Sequence, residues 1–404
     1  MPDPLPSHVT VVGLGADGWA GLSPQSRSRV SAAEVVVGSS RQLGLLPDVA
    51  GQQRRTWPSP LTYDLLADHA DRPVVVLASG DPLVSGIATS LARVVGADRV
   101  EVLPAVSSVS LARARMVWDA ESSEVVTVVG RRVEAVLRHL APDHRVLVLS
   151  SDETTPATLA GLLVDAGYGA TRMTVLGDLG ADDESRTEGV AATWSAVSPR
   201  LNVVALDCRG PVVGSWVAGL PDEAFEHDGQ LTKRDLRACA LARLAPQPGQ
   251  VLLDLGAGAG SVGIEWMRAH PTCATVAVER DPARAERIAR NAGRLGVPGL
   301  RVECGDLDQV LPRLGPAHAV FVGGGATAPG LLDRCRASLR PGGRLVVHGV
   351  TLETELVLGA QYADHGGELT RIAVETAAPI GSFTGWSPAR TVTQWSWTAP
   401  VEDR

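Results

Sequence analysis

The feature that most constrains this chain is a rhythm that starts twice. Short β-branched runs alternate with longer Ala-, Leu- and Arg-rich segments, the pattern of α/β layering. In the first half the spacing predicts strands near Val9–Val12, Val35–Val37, Val74–Ala78, Val100–Leu103, Val125–Val129, Val146–Ser150, Met173–Leu176 and Val203–Leu206. The segment Arg209–Asp228 breaks the pattern with Gly210, Pro211, Gly214, Gly219 and Pro221, all turn formers, and reads as a linker. The rhythm restarts with a predicted helix over Lys233–Leu244. Strands follow near Val251–Leu255, Thr275–Val278, Leu300–Glu303, Ala319–Val322, Arg344–His348, Leu369–Val374 and Thr391–Trp397. Seven strands in that order suit one doubly wound sheet with an antiparallel finish. The expected organisation is a domain over 1–208, a linker over 209–228 and a second domain over 229–404.

Composition narrows the function classes. The 404 residues include 36 Arg, one Lys (Lys233) and 45 acids, for a net charge of -8. Residues 1–225 carry 18 Arg against 26 acids, whereas 226–404 balance 19 basic against 19 acidic residues. A general nucleic-acid binder is normally basic and supplied with stacking aromatics, and here aromatics are only 4% of the chain. No nucleic-acid partner is expected. Cys208, Cys239, Cys273, Cys304 and Cys335 form no CxxC pair or zinc-ligand set, which reads as reduced thiols and no metal. The amino terminus lacks a signal-peptide pattern, and apolar runs are of strand length. A soluble cytoplasmic protein without a membrane partner is expected.

Two loops fit GxGxxG: Gly13-Leu-Gly15-Ala-Asp-Gly18 and Gly258-Ala-Gly260-Ser-Val-Gly263. Each could hold a dinucleotide at a helix N-terminus. The first has no acid at the end of its second strand, which reads Gly38-Ser39-Ser40-Arg41, so an NADP site through Arg41 and a ligand-free turn both stay open. The second carries three landmarks at successive strand ends. Asp254 precedes Gly256-Ala257-Gly258-Ala259-Gly260, Glu279 ends the next strand, and Gly305-Asp306-Leu307 follows the third. That pattern points to S-adenosylmethionine. Glycines admit close backbone approach, Glu279 can accept both ribose hydroxyls, and Asp306 lies where an adenine edge is expected.

The second half resembles the decarboxylating corrin-pathway methyltransferase domain. The resemblance is carried by Leu231-Thr232-Lys233-Arg234-Asp235-Leu236-Arg237, Gly256–Ser261, Ile264-Glu265-Trp266, Val278-Glu279-Arg280-Asp281, Phe321-Val322-Gly323-Gly324-Gly325, Leu339–Leu345 and Val350-Thr351-Leu352-Glu353-Thr354-Glu355. The first half resembles the tetrapyrrole methylase fold through Val12–Gly15, Gly21-Leu22-Ser23, Ala78-Ser79-Gly80-Asp81-Pro82 and Pro104–Ser110. In this order the two look like the bifunctional precorrin-6Y C5,15-methyltransferase family of cobalamin biosynthesis. Ala16-Asp17 and Leu83-Val84-Ser85 depart from the tetrapyrrole methylase pattern.

The resemblance implies a fold and a chemistry. The fold is a tetrapyrrole methylase of two α/β subdomains followed by a Rossmann-like seven-stranded methyltransferase domain. The chemistry is methylation of a precorrin at carbons 5 and 15, with loss of the ring C acetate carboxyl as carbon dioxide. Two S-adenosylmethionine sites per chain are expected. One would use Gly13, Gly15, Gly80, Asp81, Pro82, Ser107 and Ser108, the other Thr232, Asp254, Gly256–Gly260, Glu279 and Gly305–Leu307. Arginine suits a polycarboxylate substrate, and Arg113, Arg131, Arg234 and Arg237 lie near motif loops. Lys233, Glu265 and Glu353 are candidates for catalytic work. Family members assemble as oligomers, so a homo-oligomer is expected. The competing readings are a methylase for RNA or a modified protein side chain, and a first half that is a non-catalytic scaffold.

Overall fold

The computed structural model describes residues 5–212 and 215–401, so Gly214 of the expected linker lies outside the described residues. The chain divides into two compact units, Met1–Val133 with Leu140–Pro211, and Glu134–His139 with Val212–Arg404. Among the described residues, no helix is long and apolar enough to cross a membrane.

The first unit contains two sheets. Strands β1 (Val9–Leu14), β2 (Val35–Gly38), β3 (Gln53–Thr56), β4 (Val74–Ser79) and β5 (Val100–Leu103) form a parallel sheet in the order β3-β2-β4-β1-β5. Its central strands are nearly continuous Val/Leu because both faces are covered, and β1 is buried along its whole length. The second sheet comprises β6 (Ser123–Thr127), β7 (Arg145–Leu149), β8 (Arg172–Gly177), β9 (Ser185–Val190) and β10 (Asn202–Asp207), ordered β6-β7-β10-β8-β9. There β10 runs antiparallel to both neighbours.

The second unit is built on a seven-stranded sheet. Strands β11 (Val251–Leu255), β12 (Ala274–Glu279), β13 (Arg301–Cys304), β14 (Ala317–Val322) and β15 (Leu339–Gly349) are parallel, with β11 between β12 and β14. β16 (Glu368–Ile372) forms the edge. A two-stranded ribbon of β17 (Glu375–Ile380) and β18 (Phe383–Pro388) precedes β19 (Val392–Thr398), which returns antiparallel between β15 and β16. The order reverses at β11, so the crevice beyond the carboxyl ends of β11 and β14 is the place such a sheet offers a ligand.

The seven strands read from the second half are all present, in the expected sheet. Among the described residues, four strands fall outside the sequence reading: β3, β9, β17 and β18. β3 is Gln-Arg-Arg-Thr at a sheet edge, and β9 alternates half-buried and exposed residues at another edge, so neither has an apolar face to betray it.

The segment read as a linker is packed chain from Leu220 onward. Leu220 and Phe225 are 2% and 4% exposed and join a cluster with Ile264, Ile288 and Leu295. Burying such a side chain contributes about 1.5–3 kcal/mol, more than a free connector would gain. Lys233 occupies the N-cap position of helix Arg234–Leu244.

Candidate functional site

The glycine loop of the second unit leaves β11 at the reversal point. Gly256, Gly258 and Gly260 have φ of 69°, 59° and 75°, a region disfavoured for residues with a β-carbon. These turns carry the chain directly into helix Ser261–Ala269, with Gly260 at its N-cap. Two buried carboxylates brace the loop. Glu279, at the end of β12, accepts hydrogen bonds from the Gly258 amide (2.9 Å) and the Asp281 amide (3.1 Å). Asp254 on β11 accepts one from the Gly263 amide at 2.9 Å. Burial pushes the Asp254 carboxyl up to about 7, the Glu279 charge adding to the shift and the Gly263 amide opposing it.

The third landmark arrives beside them. The Gly305 amide donates to the Glu279 carbonyl oxygen at 3.0 Å, drawing the ends of β12 and β13 together. Asp306 follows, exposed at the N-cap of helix Leu307–Val310, while Leu307 is half-buried against the core. Ala257 is half-buried and Ala259 buried. Asp254, the Gly256–Gly260 loop, Glu279, Gly305 and Asp306 therefore stand at one edge of one sheet. The residue set fits S-adenosylmethionine. Three left-handed glycines shape the turn, with Gly256 exposed at its start, and a buried carboxylate ends the neighbouring strand, where two hydroxyls can be accepted.

Several expected catalytic and substrate residues have other occupations. Arg237 is fully buried and donates to Glu265 (2.6 Å), Asp222 (3.3 Å) and the carbonyls of Thr232 and Leu220, so it is not available to grip a substrate. Glu265, 4% exposed, also accepts from the amides of Gly219 (2.6 Å) and Leu220 (3.0 Å), which leaves it a structural anion rather than a proton handler. Glu353 is exposed in the first turn of helix Leu352–His365. Its own backbone amide and the Thr351 hydroxyl hold its carboxyl below the ordinary range, opposite to what a general acid requires. Lys233 is exposed with Nζ 3.4 Å from Asp222, and Arg234 is exposed one residue on. Thr232 is half-buried beside them.

The first unit has a different kind of site, an open cleft of about 500 Å³ where its two sheets meet. From the parallel sheet come Leu14, Gly15, Ala16, Arg41, Ser79, Gly80, Val106 and Ser108. From the other side come Leu176, Leu179, Leu201, Asn202 and Val203. Of the expected cofactor residues, Gly15, Gly80 and Ser108 line this cleft. Gly13 does not: a β-carbon there would lie 2.2 Å from the Gly80 carbonyl oxygen and 2.6 Å from the Ala105 amide, so its glycine is demanded by crowding of strand-end loops. Asp81 turns back on itself, accepting from the Leu83 amide at 2.9 Å, and Pro82 is buried behind it. Ser107 caps helix Ser108–Met116 through the Ser110 amide.

The arginines expected to meet substrate here are also reassigned. Arg113 binds the hydroxyl and carbonyl of Ser123 at 3.0 and 2.9 Å, tying its helix to β6. Arg131 is exposed in the loop after β6 and is absent from the cleft lining. The arginine that does line the cleft is Arg41, with Nη2 3.1 Å from Ser79 Oγ. Asp178, just past β8, feels its charge. Burial and Asp183 push the Asp178 carboxyl up while Arg41 pulls it down. Sequence reasoning names Arg41 only as an NADP candidate. No sequence signal marks it: only the fold brings Arg41, in the helix Ser40–Gly44 after β2, beside Ser79 and the cleft.

Residues 8–194 match the family model for tetrapyrrole (corrin/porphyrin) methylases, and residues 223–399 that for the precorrin methyltransferase domain. The chain is 44% identical over 397 residues to the decarboxylating precorrin-6Y C(5,15)-methyltransferase of a Sinorhizobium species, covering 96% of both proteins. The protein of the same description from Mycobacterium tuberculosis is also 44% identical, over 96% of this chain and 99% of its own. Among solved structures, the C-terminal domain of precorrin-6Y C5,15-methyltransferase from Rhodobacter capsulatus is 42% identical. It covers 46% of this chain and all of that one, with a TM-score of 0.44. Matched in both units and along nearly its whole length, the chain belongs to the decarboxylating precorrin-6Y C(5,15)-methyltransferase family.

Proposed function

We propose that this chain methylates a precorrin at carbons 5 and 15 and removes the ring C acetate carboxyl as carbon dioxide. The first unit would act at carbon 5, the second at carbon 15 and on the acetate. The observation that carries this reading is 44% identity through both units, over 96% of the chain. S-adenosylmethionine is the methyl donor, and it supplies a methyl group on a sulfonium for attack by carbon. Two donor sites per chain fit the two separate residue sets.

In the second unit Glu279 would hold the ribose, and the Gly256–Gly260 backbone the methionine part. The protein's main contribution is then orientation, which is the largest lever available for a transfer between two bound partners. The conjugated macrocycle can supply the nucleophilic carbon. It can also receive the electron pair left when the acetate C–C bond breaks, so the reaction needs no additional electron sink. In the first unit Arg41 offers a planar guanidinium to a substrate carboxylate at the cleft, and Ser79 fixes its direction.

The test is incubation of the full chain with precorrin-6Y and methyl-labelled S-adenosylmethionine, read by mass spectrometry. The reading requires two labelled methyl groups gained and one carbon dioxide lost per macrocycle. A product that keeps its acetate, or gains one methyl, overturns it.

A homo-oligomer is also proposed. Ile380, Phe383 and Trp386 on the β17–β18 ribbon are 62%, 79% and 69% exposed, and a lone two-stranded ribbon is marginal in water. Phe383→Asp should lower the mass measured by light scattering; an unchanged mass speaks against this face.

A further inference from the structure

The segment ahead of helix Arg234–Leu244 is fastened at three levels. Its ends are drawn together by one buried ion pair. Arg237 donates to the carbonyls of Leu220 and Thr232, and Glu265 accepts from the amides of Gly219 and Leu220. Residues 220–232 thus form a compact loop with a closed neck, the geometry of an Ω-loop. Its body rests on the glycine loop: a β-carbon at Gly258 would lie 2.8 Å from the Gln230 carbonyl oxygen.

Asn291, fully buried on helix Pro282–Arg294, joins the two loops through a single amide. Its Oδ1 accepts from the Glu226 amide at 2.8 Å. Its Nδ2 donates to the Glu226 carbonyl and to the Ala259 carbonyl, each at 3.0 Å. The side chains at the tip are held differently, by partly exposed ion pairs. Glu226 pairs with Arg290 (3.0 Å) and Arg294 (3.2 Å), and Asp228 with Arg284 (2.9 Å) and Arg287 (3.1 Å). These four arginines recur every three or four residues along one face of the helix.

We propose that residues 220–232 form a strap that retains the cofactor of the second unit, with Asn291, Glu226 and Asp228 as its positioning residues. The neck is permanent because it is buried. The tip is releasable because solvent-accessible ion pairs are weak singly and screened by salt, and the pairs here are all partly exposed. Release of the tip lifts Gln230 from Gly258, and Asn291 transmits that movement to Ala259. The inference rests on the reading that the second unit binds S-adenosylmethionine.

The test loads the full chain with tritiated S-adenosylmethionine and follows its release into excess unlabelled compound. Glu279→Ala identifies the release phase that belongs to the second unit. In the native chain that phase should quicken as NaCl rises from about 0.05 to 0.5 M, a range over which the Debye length shrinks from above about 10 Å to a few ångströms. The double variant Glu226→Gln/Asp228→Asn should release about tenfold faster at low salt and lose the salt dependence, the scale expected for several screened surface pairs. Its thermal midpoint without cofactor should stay close to native, since both side chains are at the surface. Asn291→Ala should raise the release rate while the salt dependence persists. If Glu279→Ala alters no phase, the second-unit cofactor reading falls and the strap with it. If Glu279→Ala acts but the double variant releases at the native rate, the cofactor site stands and the strap is refuted.

Discussion

The two glycine-rich loops spell the same motif and are built differently. Around Gly258 the glycines take the backbone through left-handed turns, two buried carboxylates hold the turns, and the chain enters a full helix at Ser261. Around Gly13 the motif makes room for protein. Gly80 and Ala105 close on it from the ends of β4 and β5, and the helix that follows covers only Gly18–Gly21. Both loops exclude β-carbons for the sake of protein neighbours, Gly258 for the Gln230 carbonyl and Gly260 for Ile288; the second adds left-handed turns and two bracing carboxylates. A glycine pattern therefore records where a β-carbon is forbidden, and only the neighbours in space say what forbids it.

The sharpest way to break this contrast is substitution of the glycines themselves. Gly13→Ala should lower the thermal midpoint of the chain, since its β-carbon meets two backbone atoms that cannot swing aside; overpacking of this kind costs about 1–3 kcal/mol or more. Calorimetric unfolding that matches the native chain would remove Gly13 from this packing. Next in size is Glu279→Ala, which should weaken cofactor binding in the second unit by roughly 1.5–3 kcal/mol, the range for a hydrogen bond to a charged group. Titration showing native affinity would mean that Glu279 braces Gly258 and does nothing further.

Asp254 gives the contrast a pH dependence. Its carboxyl is pushed from 3.8 to about 7 by burial, so the folded chain binds a proton there that the unfolded chain has lost. Native stability from this group is full below 3.8, declines as pH rises, and is flat above about 7. Asp254→Asn lacks that decline. Its stability relative to native should rise across the same window and then level off, as read by denaturant unfolding at several pH values. A difference independent of pH would place Asp254 in contact with solvent. The smallest effect concerns the cleft. Arg41→Ala should slow methylation at carbon 5 by about tenfold, the loss of one charge-assisted contact, and leave methylation at carbon 15 at its native rate. Equal loss at both carbons, by product analysis, would show that Arg41 supports the fold instead.

How much of this was legible in the sequence depended on whether neighbours in space were marked by chain position. Asp254, Glu279 and Asp306 end or follow successive strands, and parallel strand ends converge, so their meeting could be read. The edge strands β3 and β9 could not, because polar, half-exposed segments have no buried face to set a period. Arg237 and Glu265 look like substrate and proton chemistry in isolation. Only the folded chain shows that they neutralise each other in the interior. Asn291 and Arg41 carry no motif at all; their significance comes from Ala259 and Glu226 in one case, and from Ser79 and the cleft in the other. Ser107, by contrast, lies in a motif but spends its hydroxyl on a helix cap.

The central claim is that two differently built sites in one chain each hold a methyl donor. Isothermal titration of the full chain with S-adenosylmethionine, repeated with Glu279→Ala, tests it most directly. The account predicts two molecules bound per native chain and one retained at native affinity in the variant. A native stoichiometry of one would contradict it.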